Sequence, residues 1–141
     1  MIGLVITRLQ QAPAIFKMLE GVVAFSRIEN DPPLHQRPAG WVMPIRESAG
    51  GNVYSANAVG QDIQERIGII ACLGDGKTTG AVAEADVIRA MRDLLIDRLV
   101  GWRPEEAHGQ LLYGGGALMR AEARAIYWQF DFTRTASIRK V

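Results

Sequence analysis

Apolar and polar residues alternate most regularly over residues 126–138. Ile126, Trp128, Phe130, Phe132, Ala136 and Ile138 fall on one side; Tyr127, Gln129, Asp131, Thr133, Thr135 and Ser137 fall on the other. A period of two held over that length predicts a long strand with one apolar face. Arg134 interrupts that face near its far end. A second alternating run, residues 62–71, sets Ile63, Ile67, Ile69 and Ala71 against Gln64 and Arg66, which predicts a half-buried strand. Between the two strands the spacing lengthens to three and four. Val87, Ile88, Met91, Leu94, Leu95 and Leu99 make one apolar face, with Arg89, Arg92, Asp93 and Asp97 turned away, so a helix is predicted over 81–100. Arg89 and Asp93 stand one turn apart and are expected to pair. Gly101 marks the end of the helix and Pro104 blocks its continuation.

The rest of the pattern is weaker. Residues 3–20 carry an irregular apolar stripe of Leu4, Val5, Leu9, Ile15, Phe16 and Leu19, expected as a helix that Pro13 kinks or restarts and Gly21 stops. Residues 29–40, with two adjacent prolines, read as a loop. Residues 41–45 are a short strand, placed at a sheet edge because Pro44 has no N–H to give to a ladder. Residues 46–60, rich in Gly, Ser, Ala and Asn, read as a long exposed connection or as a hairpin turning at Gly50, Gly51 and Asn52. Residues 103–125 are irregular, with a short strand over 113–118. The order helix, strand, connection, strand, helix, irregular segment, strand predicts an α+β fold: one domain over 1–141, a small mixed or antiparallel sheet, and helices packed on one face.

Composition narrows the partners. The 141 residues carry 16 Lys plus Arg against 15 Asp plus Glu, a formal charge of +1, which gives no global field to draw in nucleic acid. Cys72 is the only cysteine, cannot close an intrachain bridge, and falls in an apolar run where a buried thiol is expected. No apolar run reaches transmembrane length, and the opening "MIGLVITRL" lacks the pattern of a secretory signal, so no membrane partner is expected.

One stretch invites a chemical reading. "IIACLGDGKTTGAV", residues 69–82, runs from a strand through a glycine turn into a helix, and Gly76, Lys77 and Thr78 match the end of a phosphate-binding loop. The loop's first glycine belongs at position 71, which is alanine, and neither Asp62 nor Asp131 follows the apolar run that a Mg²⁺-holding carboxylate would need. A polar strand-to-helix turn, with Thr79 as a helix cap, accounts for the same residues. His35 and His108 lie apart in loops without metal-ligand spacing, and Cys72 has no feature that would lower its pKa. Glu105 and Glu106 read as solvated. No catalytic residue, cofactor or metal site is expected. Arg120, Arg124, Arg134, Arg139 and Lys140 give the last third a mild basic bias, and Trp128, Phe130 and Phe132 could stack on bases, but that apolar face is needed for a core. Sequence-specific nucleic-acid binding is not expected.

What remains is a structural or interaction protein, and here a resemblance adds to the residues. "MIGLVITRL", "PPLHQRPAGWVMPI", "NAVGQDIQERIGIIA", "DVIRAMRDLLIDRLVGWRP" and "LLYGGGALMRAEARAIYWQFDF" follow one another in an order and spacing that resembles the tail terminator, or tail-completion, proteins of long-tailed bacteriophages and prophages. The resemblance covers most of the chain; "GWRP" and "YGGGAL" followed by "YWQFDF" are its most specific fragments, and none is a catalytic signature. It implies a non-enzymatic subunit made in the host bacterial cytoplasm and carried in the virion. Copies would close into a ring, commonly of six, at the head-proximal end of the tail tube, stop tube growth and offer a surface to the head–tail connector protein. The partners implied are further copies of the chain, the tail tube protein and the connector. Another head–tail joining (neck) protein is the alternative, and a small nucleotide- or nucleic-acid-binding domain a lower one. Under the first reading the working surfaces are the 46–60 connection and the 74–80 turn, with Asn52, Tyr54, Asn57, Asp75 and Lys77 as candidate interface residues. Trp102 either packs under the sheet or anchors a subunit contact, and "GVVAF", 21–25, is a place for apolar surface to be buried between neighbours.

Overall fold

The computed structural model describes residues 1–26, 37–54, 57–74, 81–122 and 125–140, with the side chains of 81–83 and 122 left aside. The elements are α1 (Ile2–Leu9), β1 (Met18–Glu20), α2 (Val22–Phe25), β2 (Ala39–Ala49), β3 (Val59–Leu73), α3 (Ala81–Leu99), β4 (Leu112–Glu122) and β5 (Ala125–Lys140). The five strands form one mixed sheet in the order β1-β2-β3-β5-β4. β1 runs parallel to β2, and every other pair is antiparallel. The fold is α+β, as the pattern predicts.

β5 lies beside β3 over its whole length, from Val59 opposite Lys140 to Leu73 opposite Ile126. Phe130 and Phe132 point from it into the main core, where they meet Val5 and Leu9 of α1, Met91, Leu95 and Leu99 of α3, and Ile67, Ile69, Ala71 and Leu73 of β3. Trp128 is partly buried against the same cluster. The terminal strand therefore spends its large rings on the interior, not on a base-stacking platform.

The second face departs from expectation. Tyr127, assigned by alternation to the polar side, is fully buried. It stacks on Trp41 at 6.3 Å between ring centroids, and Phe25 of α2 meets Trp41 edge-on at 5.4 Å. Ile70 and Cys72 of β3 belong to this smaller cluster, so Cys72 is buried as expected. Residues 67–73 of β3 are thus buried on both faces rather than half-buried, because α1 and α3 cover one side while α2 and the Trp41–Tyr127 pair cover the other. A continuous apolar run is what a strand enclosed on both faces requires.

Several boundaries also move. The helix expected over 3–20 ends at Leu9. Pro13 cannot donate to the Leu9 carbonyl, its ring would strike that carbonyl in a continued helix, and it restricts Ala12 as well, so the helix stops rather than kinks. Phe16 and Leu19 still reach the core, delivered by the approach to β1 and by β1 itself. Gly21, expected as a helix stop, instead precedes α2 as its N-cap. Of the proline-rich loop expected over 29–40, residues 29–36 with His35 lie outside the described residues, and Ala39 and Gly40 already belong to β2.

β2 is longer than its expected five residues, and its hairpin with β3 settles the 46–60 segment in favour of the hairpin reading. β2 is not the sheet's edge strand as expected but its second, paired to β1 over Ala39–Trp41; Pro44 lies beyond that paired stretch, and the ladder with β3 shifts register between Pro44 and Arg46. The segment expected as irregular contains an eleven-residue strand, β4. Its glycines give little local strand signal; the Trp128 indole lies so close to Gly116 that a Cβ there would stand 2.6 Å from Nε1. Tertiary pairing with β5 overrides weak propensity.

α3 falls where the spacing places it, but Leu94 is 51% exposed. It sits on the rim of an apolar cleft of about 400 Å³ with Leu73, Val87, Ala90 and Met91. Arg89 pairs with Asp86 at 3.5 Å, and Asp93 takes Arg92 at 3.2 Å, in place of the expected Arg89–Asp93 pair. The ends of α1 and α3 hold each other. Arg8 Nε donates to the Arg98 carbonyl at 2.6 Å, and Arg98 NH1 donates to the Arg8 and Gln11 carbonyls, both at 3.1 Å. Each guanidinium supplies the donors that the other helix's last carbonyls lack. Arg8 also lies 4.6 Å over the Trp102 ring, which packs against the main core as the first of its two readings anticipates.

Candidate interaction surfaces

Beyond Ile67, β3 leaves the cover of the helices. Residues 44–49 of β2 are exposed, and between Val59 and Arg66 of β3 only Gly60 is buried. With residues 133–140 of β5 they form a three-stranded arm. Its sequence, "GQDIQER" facing "TRTASIRK", supplies polar side chains to both faces, so cross-strand polar pairs replace core packing. Gln64 Nε2 donates to Thr135 Oγ1 at 2.8 Å, Arg139 NH2 meets Asp62 Oδ1 at 3.2 Å, and Arg66 NH1 meets Asp131 Oδ2 at 2.9 Å.

Among the described residues of the arm, one charged group is buried. Arg134, 5% exposed, donates through Nε to Glu65 Oε2 at 2.6 Å and through NH2 to Glu105 Oε1 at 3.0 Å. Glu105 is therefore not simply solvated: the hydrogen bond from Arg134 holds its carboxyl below the ordinary 4.5, against a smaller upward push from partial burial. Next to it, the chain over Glu105–Gly109 lies along the side of β5 that β4 leaves open. Gly109 N donates to the Thr135 carbonyl at 2.8 Å, and the Ser137 amide donates to His108 Nδ1 at 3.1 Å, which puts the His108 ring proton on Nε2. The ion cluster fixes that segment to the arm. The only sequence signal for it is Arg134 itself, a cation at an apolar position.

The arm ends in a turn built around Asn52. Its Oδ1 accepts from the amides of Tyr54 at 3.1 Å and Gly60 at 2.8 Å, and its Nδ2 donates to the Ala58 carbonyl at 3.2 Å. The Tyr54 ring then lies on Gly60, where a Cβ would stand 2.6 Å from Cε2, with the Arg139 guanidinium 6.0 Å from the ring centroid. Val53 and Tyr54 stay exposed at the tip, and Asn57 is exposed beside them. Three of the five residues expected at an interface are thus brought together.

Asp75 and Lys77, with Gly76, Thr78 and Thr79, lie outside the described residues. Gly74, just before them, follows the opposite end of the fifteen-residue strand β3, about 45 Å from its start at some 3.3 Å per residue. Gly74 and the Asn52 turn therefore lie at opposite ends of β3. Ala71, where a phosphate loop would need its first glycine, is fully buried inside the ladder, opposite Gly40 and Trp128. Of the basic residues near the C-terminus, Arg134 is sequestered by carboxylates and Arg139 pairs with Asp62; Arg124 lies outside the described residues.

A family model described as "Phage tail terminator protein" matches residues 2–140. No curated protein sequence matches the chain. Among solved structures, the fold is similar to a chain of the "Virion of native gene transfer agent (GTA) particle". The two are 15% identical with a TM-score of 0.50, over 95% of this chain and 92% of that one.

Proposed function

Because this chain belongs to the phage tail terminator family, we propose that copies of it close into a ring on the head-proximal end of a phage tail tube, end tube growth there and present a surface for head joining. The coarser statement follows from the family: this is a structural protein of a phage tail, carried in the virion and assembled with other virion proteins. The observation that carries the finer reading is the match of the family model to nearly the whole chain. A ring of six, with the tail tube protein on one side and the head–tail connector on the other, is the arrangement the family resemblance implies.

The architecture supports this reading in physical terms. The aromatic side chains of β5 are used up in the core, and Arg134 is neutralised by its carboxylates. What the molecule offers to a partner is shape: a three-stranded arm that ends in the Asn52 turn at one end of the sheet. We assign the tip, with Asn52, Tyr54 and Asn57, to contact with the tube or with a neighbouring copy.

The test is to mix the purified protein with tail tubes and image them by negative stain. Density capping one tube end and arrest of further elongation are expected. Deletion of the gene is expected to give overlong tails and free heads. Tails of normal length that fail to join heads would instead identify a neck protein, and protein bound along tube sides, or not at all, would reject the capping role.

A further inference from the structure

The chain over Glu105–Gly109 does for β5 what a neighbouring strand would do. β4 pairs with β5 only between Ala125 and Thr133. Past that point two bonds meet the open side of β5: Gly109 N donates to the Thr135 carbonyl at 2.8 Å, and the Ser137 amide donates to His108 Nδ1 at 3.1 Å. The second bond differs in kind. A ring nitrogen stands where a strand carbonyl would stand, and unlike a carbonyl it can take up a proton near neutral pH. The His108 side chain is 23% exposed, so water reaches the ring.

We propose that His108 is a proton-operated latch on this edge: protonation at Nδ1 removes the acceptor, frees the Ser137 amide and lets the His108–Gly109 end of the segment leave β5. An imidazolium carries N–H on both nitrogens, so Nδ1 and the Ser137 amide would face each other donor to donor. The surrounding charges favour release. Glu105 Oε2 lies 3.8 Å from Nε2 and attracts the imidazolium, but it stands three residues away in the same segment, so that attraction does not require the ring to stay on β5. Arg134 of β5 and the Met1 amine, 3.0 Å and 3.6 Å from Glu105 Oε1, put two cations near the new charge. On β3, Glu65 is engaged by Arg134, and Asp62 by Arg139 and the Ser137 hydroxyl. Glu105 titrates below 4.5 and keeps its bond to Arg134 while the imidazole changes charge, so the segment pivots there instead of leaving as a whole. Release bares the Thr135 carbonyl and the Ser137 amide as an unpaired strand edge along the side of the arm.

The test follows the full chain by NMR from about pH 8 to pH 5, the range in which an imidazole changes charge. Protection of the Ser137 and Gly109 amides from exchange, corrected for the intrinsic rate, is expected to fall roughly five- to tenfold in step with the His108 ring signals, the loss of one ordinary hydrogen bond. The Ile69 amide, paired on both sides in the enclosed half, is expected to stay level. His108→Asn offers a side-chain oxygen that accepts from Ser137 and does not titrate, so protection should be high at both ends of the range. His108→Ala should be unprotected at both. The latch is overturned if Ser137 protection stays level while the ring titrates, if the ring does not titrate in this range, or if His108→Asn keeps the pH step. An equal loss at Ile69 would mean global unfolding and would overturn it as well.

Discussion

The two halves of β3 belong to one continuous strand and obey different rules. From Ile67 to Leu73 every residue is buried, with α1 and α3 on one side and α2 and Trp41 on the other. From Val59 to Arg66 the same strand runs in the open, held to β2 and β5 by backbone pairing and by cross-strand polar contacts. Stability is concentrated in the first half, where burial of apolar surface dominates. The second half is freed from core packing, and its residues can be chosen for a partner. A buried anchor continuous with an exposed arm suits a part whose work is to fit other parts.

Substitutions that cross this divide should separate the halves. Phe130→Ala in the enclosed half removes a fully buried ring between α3 and β3; a loss of about 3–5 kcal/mol in denaturant unfolding is expected. Arg134→Ala, at the one buried cation of the arm, leaves Glu65 and Glu105 without their donor and should cost about 2 kcal/mol, less than a fully enclosed ion pair because both carboxylates keep some water. A cost as large as that of Phe130→Ala would mean that the arm folds as part of the core.

The same cluster predicts a pH effect. The folded Glu105 carboxyl titrates below its ordinary 4.5, so the unfolded chain binds the proton first. The contribution of the pair is whole above that value and is lost as pH falls below it. Thermal melts at falling pH should show a shallower decline for Glu105→Gln than for the unsubstituted protein. Asn52→Ala removes three hydrogen bonds from the exposed tip, with an expected cost of about 1 kcal/mol and loosening of Tyr54, read as faster amide exchange at Gly60. Gln64→Ala deletes only the contact to Thr135 on an exposed face, and unfolding should shift by no more than about 0.5 kcal/mol. A large effect there would erase the contrast between the halves.

Much of this was legible in the residues. Phe130 and Phe132 at a spacing of two, and Met91, Leu95 and Leu99 at four, announce a strand and a helix that share a core. Local pattern works there because each element has one buried face, which is what periodicity encodes. The pattern failed where burial was two-sided or borrowed. Tyr127 reads as polar-face because its cover comes from Trp41 and Phe25, distant in sequence. β4 is hidden by its glycines, which pair well enough only because β5 is beside them. Among the candidate interface residues, Asn52, Tyr54 and Asn57 were legible as a small-residue turn, whereas Glu65 and Glu105 gave no sign of converging on Arg134.

The sequence by itself determined the class of fold, the two amphipathic elements at its centre, the buried thiol and the family to which the chain is similar, because these depend on residue type and short-range spacing. Only the tertiary structure decided which half of β3 is enclosed and that the arm carries a buried cation. Those features depend on which distant segments lie side by side, and that is settled by the packing of the whole sheet rather than by any window of the chain.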